Sequence, residues 1–442
     1  MATLNDLTEA DVVAQSEAAG EPEWLRDARQ AAYKDFSDHA WPTNRVEEWR
    51  HTDPRRIPRD RELVTAGEAG DIGVRAEGIA VHLEGYSARL RIVDGVVVDA
   101  SVEPEAAALG VVATDLATAA REHPELVRDQ LGAAVGAEDA FTAANLAAFT
   151  AAGFIHVPPE VELERPVAVT IQLTRPGTHL PRLLAHFAPN ARGDLVIDRT
   201  GGADATVVEV VEVVAEAGAA VRVANSQGWD DGCAHVGWHR ARVGRDAEAK
   251  ALEATFGGGT VYLRPDVRMT GEGANGELYG VYFAGGDQSF QHRCLIHHDA
   301  ARTTSESVYK GALQGESHTV WYGNIRIEPH AKATTSDETN RNLILTDGAR
   351  ADSIPFLEIL TSDVVGCGHH SSVGQLDELQ LFYMESRGIP RPVAARMLVF
   401  GFFSEVLERV EIPGVTEVLQ GEIERELQEA PTALMDPRRG AA

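Results

Sequence analysis

The chain has 442 residues, too many for one hydrophobic core, because single cores stop growing at roughly 250–300 residues. Forty basic residues against 68 acidic ones leave a formal charge of −28, a field that repels nucleic-acid phosphates and anionic lipid surfaces. Three scattered cysteines, Cys233, Cys294 and Cys367, exclude a disulfide framework and a CxxC zinc pattern, and the absence of a leader-like start or a long apolar run predicts a cytoplasmic protein without a membrane span.

Residues 22–50 carry Trp24, Leu25, Ala28, Ala31, Ala32 and Phe36 at spacings of three and four, which predicts a helical entry unit. Leu90 and Ile92, the turn signal Asp94-Gly95, then Val96 and Val98 predict a hairpin. Helical spacing returns at about 115–131 and 139–152. From about 156 to 365 the period falls to two: Val167, Val169, Ile171 and Leu173 alternate with Ala168, Thr170, Gln172 and Thr174, and similar short runs recur between Gly-, Asp- and Asn-rich turns. A sandwich, a barrel or a solenoid could hold such strands. The scarcity of two-residue hairpin turns after residue 160 favours the solenoid, although no hexapeptide or GGxGxD repeat can be counted.

After Gly374 the spacing becomes helical again. Leu376, Leu379, Phe382 and Tyr383 share a face, and Gly388 with Pro390 just beyond marks a helix end. Val393, Met397, Phe400, Phe403, Leu407 and Val410 then form one apolar stripe that faces a core or a partner. A third helix over about 416–429 is charged and expected to be peripheral.

Three Cys/His groupings could bear chemistry. Cys367-x-His369 can put a thiolate and an imidazole on one strand face, a pair suited to iron or zinc but only half a site. His292, Cys294 and His298 would align on one face of a regular strand, with a packing role as the competing reading. Cys233-Ala234-His235 with His239 is the weakest of the three. The glycine-rich runs lack the strand-to-helix setting and the Lys-Ser/Thr pair of a phosphate loop, and there is no G-x-S-x-G elbow or HExxH.

Taken together, these residues carry a family resemblance. Glu47-Glu48-Trp49-Arg50 with Thr52-Asp53, Ser307-Val308-Tyr309-Lys310-Gly311-Ala312-Leu313, Asn340-Arg341-Asn342-Leu343-Ile344-Leu345 and Pro355-Phe356-Leu357-Glu358-Ile359 form a long series. It runs on through Asp363-Val364-Val365-Gly366-Cys367-Gly368-His369, Val373-Gly374-Gln375-Leu376-Asp377, Leu381-Phe382-Tyr383 and Ser386-Arg387-Gly388-Ile389. The chain resembles the SufB/SufD family of the SUF iron–sulfur cluster assembly machinery, on the SufD side, since residues 340–354 lack the cysteine that SufB proteins carry there.

The resemblance implies a mainly β fold with α: a right-handed parallel β-helix core over 156–365, an N-terminal mixed helical domain over 1–155 and a C-terminal helical domain over 366–442. It implies a non-catalytic scaffold that pairs with a SufB-like paralogue through the β-helix and docks a SufC-like ATPase through the C-terminal helices. Leu376, Phe382, Tyr383, Arg387, Phe400 and Phe403 become candidate partner residues. His369 falls on the family's histidine that assists a nascent iron–sulfur cluster, with Cys367 beside it; the cluster would be transient and shared with the SufB-like chain. The family's Ser and Gly-Ala-Thr around that histidine are Gly368 and His370-Ser371-Ser372 here, so the role of His370 stays open. A homodimer in the absence of the SufB-like partner, the cluster type and a flavin are left open as well. A β-solenoid enzyme, such as a polysaccharide lyase or acyltransferase, is the alternative.

Overall fold

The computed structural model describes residues 2–65 and 83–429. Residues 66–82 of the expected N-terminal unit and 430–442 of the C-terminal unit lie outside them.

Two ten-stranded sheets face each other, and the chain alternates between them at almost every turn. Strand Ala220–Trp229 of one sheet leads to Ala234–Val243 of the other and back to Glu248–Thr255, which lies in parallel register on the first. The result is a parallel β-helix whose coils advance by 26 to 32 residues, as the pairs Ala234 with Thr260 and His318 with Arg350 show. One corner of every coil turns through a residue at positive φ: Glu160, Asn190, Gly218, Asp246, Gly273, Arg302 and Ala333. Each donates its N–H to a carbonyl one coil further on, so the corners form a ladder that satisfies backbone groups between the sheets.

Both faces of the middle strands are covered. The strand Ala205–Ala215, with the sequence ATVVEVVEVVA, is buried at every position. Its inward residues Val207, Val211 and Val213 join the central core, whereas Val208 and Val210 pack outward under Trp49, Phe141 and other residues of the N-terminal unit. A strand buried on both sides reads as a continuous apolar run, as this one does. The Trp49 motif fastens that unit: Trp49 stacks on Tyr262 with ring centroids 4.0 Å apart, and the Tyr262 hydroxyl donates to the Glu48 carbonyl at 3.1 Å.

The C-terminal helices Glu378–Ser386, Arg391–Leu407 and Val415–Glu429 follow the last strand. The second and third cover the outer face of the other sheet, around Leu252, Phe256, Val281 and Phe283. Lys310 of the Ser307–Leu313 motif ties them down by donating to the Phe402 carbonyl at 2.6 Å and the Glu405 carboxylate at 2.5 Å.

Several expectations are corrected. The helix expected over 139–152 stops at Ala148, and the strand Ala151–Val157 begins at once because its backbone pairs with Pro181–Phe187. The helix expected over 115–131 breaks into Leu116–Glu122 and Pro124–Val127, since Pro124 cannot donate to the preceding turn. The expected boundary at 365/366 falls inside the strand Val364–Gly374. The third C-terminal helix is not peripheral, because Leu419, Ile423 and Leu427 are buried in the outer core.

Candidate functional site

The two ends of the β-helix differ. At the N-terminal end each sheet finishes in an antiparallel strand, Val96–Val102 on Ala88–Val93 and Val112–Asp115 on Ala151–Val157. At the other end the last strands, Val364–Gly374 and Arg350–Ile359, run parallel to their neighbours; at both ends the outermost strands pair on one side only, and the ends differ in what they expose. That final coil exposes Phe356, Ile359, Leu360, Val365 (74% exposed) and Val373. An edge of unpaired N–H and C=O groups beside exposed apolar side chains is a template for another chain.

Cys367 and His369 stand on this edge. Parallel register sets Cys367 beside Ser336, His369 beside Glu338, Ser371 beside Asn340 and Val373 beside Asn342. Ser336, Glu338, Asn340 and Asn342 are buried inward-facing residues. Paired residues of parallel strands share a face, so Cys367 and His369 lie on the face that continues the interior, at its open mouth. His370 takes the opposite face, its Nε2 3.7 Å from the Asp337 carboxylate. Gly368 is opposite Asp337, and a Cβ there would lie 2.7 Å from the carboxylate oxygen of that half-exposed side chain, which would have to turn aside.

The environment of Cys367 keeps it a thiol. Burial and the negative charges of Glu338 and Asp337 push its pKa up to about 11. Burial raises Glu338, a residue that spacing alone did not single out, to about 8. A cation, or a partner's positive group, is needed to draw off the thiol proton. Among the described residues, no grouping of three metal-donor side chains includes Cys367 or His369. The pair remains half a site, as the CxH spacing implies.

The other two groupings resolve differently. His292, Cys294 and His298 are buried and do not converge. His292 contacts Thr255 Oγ1 at 3.0 Å and stacks on Tyr282; Cys294 is buried in the central core; His298 sits between Thr303 and Ser305 at 2.7 and 3.0 Å. His297 faces outward to Glu328 at 2.9 Å. These are packing roles. His235 and His239, by contrast, meet Glu209, while Cys233 stays apart as a buried thiol. Glu209 precedes them by 26 and 30 residues, and only the coil brings it near.

Of the proposed partner residues, Phe382 (69% exposed), Tyr383 and Arg387 are open to solvent, with the Arg387 guanidinium 5.2 Å from the centre of the Tyr383 ring. Leu379, Val393 and Met397 add exposed apolar surface on the same helical hairpin. Leu376 and Phe400 are half-buried. Phe403 is a correction: it is fully buried against the β-helix, so it holds the domain to its own chain and offers nothing to a partner.

Comparison with known proteins fits this arrangement. Residues 171–402 match the family model for the SUF system FeS cluster assembly SufBD core domain, and residues 12–169 match that for the SufBD protein N-terminal region. An iron-sulfur cluster assembly SufBD family protein of Mycobacterium tuberculosis is 38% identical over 300 residues, covering 66% of this chain and 75% of that protein. The iron-sulfur cluster assembly protein SufD of Bacillus subtilis is 27% identical over 425 residues, covering 93% of this chain and 96% of that protein. A SufBD family protein of Staphylococcus epidermidis is 26% identical over 402 residues. With a core-domain match over more than half its length and the β-helix that carries it, the chain belongs to the SufBD family of iron–sulfur cluster assembly proteins.

Proposed function

We propose that this chain is a non-catalytic scaffold of the SUF machinery that builds one wall of a nascent iron–sulfur cluster. Its open β-helix end pairs with a SufB-like paralogue. Cys367 and His369 supply two donors there, and the partner supplies the rest. Iron binding displaces the Cys367 proton, which the surrounding burial and acidic groups otherwise hold in place. The C-terminal hairpin docks a SufC-like ATPase on Leu379, Phe382, Tyr383, Arg387 and Met397. Because Lys310 and Phe403 fasten that hairpin's second helix to the β-helix, movement of an attached ATPase reaches the sheets directly.

The observation that carries this reading is the last coil, which exposes Phe356, Ile359, Val365 and Val373 along an unpaired edge and bears a thiol and an imidazole on its final strand. Substituting Val373→Arg and Phe356→Arg places charges on the open coil without touching the core. Co-expressed with SufB-like and SufC-like proteins, the double variant is expected to lose the SufB-like chain on affinity purification while keeping the SufC-like one. Retention of both, with thermal unfolding unchanged, would remove the open end from the interface.

A further inference from the structure

We propose that Glu209, His235 and His239 form a second, interior binding site for a divalent transition-metal ion, distinct from the Cys367–His369 pair. The Glu209 Oε2 atom lies 3.2 Å from His235 Nε2 and 3.0 Å from His239 Nε2. One donor atom from each residue falls within 4.8 Å of the other two. A zinc- or iron-sized ion bonds such atoms at about 2.0–2.2 Å, so donors gathered this closely can share one ion with little movement.

The fold builds this convergence deliberately from one register. Glu209 pairs with Gly237, the residue midway between the two histidines on the next coil. Gly237 has no side chain, and the carboxylate lies between both imidazoles; a Cβ at Gly237 would come within 3.1 and 3.2 Å of the two Nε2 atoms. All three donor residues are buried.

The neighbours are those of a metal site. His239 Nδ1 contacts the Glu253 carboxylate at 2.9 Å from across the interior, the arrangement that fixes a ligating imidazole with Nε2 free to bind. Arg199 donates to both Glu209 oxygens at 2.7 and 2.9 Å and to Asn225 Oδ1 at 3.2 Å, which orients the carboxylate. The His235 Nδ1 atom is buried without a hydrogen-bond partner. Two carboxylates, Glu209 and Glu253, face one guanidinium, and the second positive charge is supplied either by a protonated His239 or by a metal ion that displaces that proton. Two imidazoles and one carboxylate, with no thiolate, suit Fe2+ or Zn2+.

Co2+ is a suitable probe, tested in a full-length chain carrying Cys367→Ser and His369→Ala so that the open end contributes no sulfur or imidazole. The interior is reached during folding, so the chain is produced in Co2+-supplemented medium and passed through gel filtration. About one Co2+ per chain should remain, with visible ligand-field bands, no thiolate charge-transfer band and an X-ray absorption spectrum fitted by nitrogen and oxygen alone. His235→Gln should abolish retention, and Glu253→Gln should weaken it roughly 10- to 100-fold while leaving the donors in place. Circular dichroism and thermal unfolding identify the variants that fold. Loss of all Co2+ from the folded parental chain, or equal retention by folded His235→Gln, would overturn the site and leave a proton-bridged ion network.

Discussion

Phe403 and Phe382 occupy neighbouring C-terminal helices yet should respond to truncation in opposite ways. Phe403 is fully buried among Val399, Val406, Leu407 and the outward residues of the β-helix, so Phe403→Ala removes a whole ring from a closed core. Loss of transfer free energy and the cavity left behind cost about 3–5 kcal/mol for such a change. At 1.4 kcal/mol per factor of ten, the helix Arg391–Leu407 should open roughly two to four orders of magnitude more often. Amide hydrogen exchange is the assay, because it separates this helix from the rest: protection should fall there and stay unchanged in central strands such as Ala234–Val243. Phe382 is 69% exposed, and Phe382→Ala should change stability by less than about 0.5 kcal/mol. Its loss should appear as weaker SufC-like binding, about tenfold or more if it anchors that interface. Unchanged exchange in Phe403→Ala, or a large stability loss in Phe382→Ala, would refute the division between packing and docking.

Other outcomes follow from the same structure. Lys310→Met removes the ammonium's hydrogen bond to the part-buried Phe402 carbonyl and should weaken the hold on the helix Arg391–Leu407 by about 1 kcal/mol, measured by exchange; the half-exposed Glu405 partner adds little. Burial lowers His298 to about 3, so the folded chain keeps it neutral while the unfolded chain binds a proton below about 6.5. Stability should therefore fall as pH drops from 6.5 toward 3, by up to 1.4 kcal/mol per pH unit from this residue, and urea titrations of His298→Gln should show a correspondingly shallower acid limb. Ala333 adopts φ 55° at a coil corner, and Ala333→Gly should stabilise by about 1 kcal/mol in thermal unfolding; Gly218→Ala, at φ 72° with a Cβ 2.0 Å from Asn190 Oδ1, should destabilise.

The order of elements was legible because period-two and helical spacing are local signals. Val167–Leu173 alternates as one face turns to the core, and Gly388 stands at positive φ just past the helix Glu378–Ser386, as its spacing predicts. The repeat itself was hidden. Its constant feature is a backbone angle, met in turn by Glu160, Asn190, Gly218, Asp246, Gly273, Arg302 and Ala333, and coil length drifts enough to blur any fixed period. Site residues divided in the same way. Cys367 and His369 are two apart on one strand, whereas Glu338 beside them and Glu209 between His235 and His239 come from neighbouring coils. The apolar stripe from Val393 to Val410 could face a core or a partner, and it does both: Val393 and Met397 are exposed, while Phe403, Leu407 and Val410 are buried.

The central claim is that the open coil of this chain helps build a cluster rather than merely holding a complex together. The direct measurement is iron and acid-labile sulfide in the complex purified after co-expression with SufB-like and SufC-like proteins, compared between the native chain and His369→Ala. His369 is exposed and carries no packing role, so the variant complex should assemble with unchanged subunit ratios and lose most of its iron and sulfide. Equal cluster content in the two complexes would contradict the account.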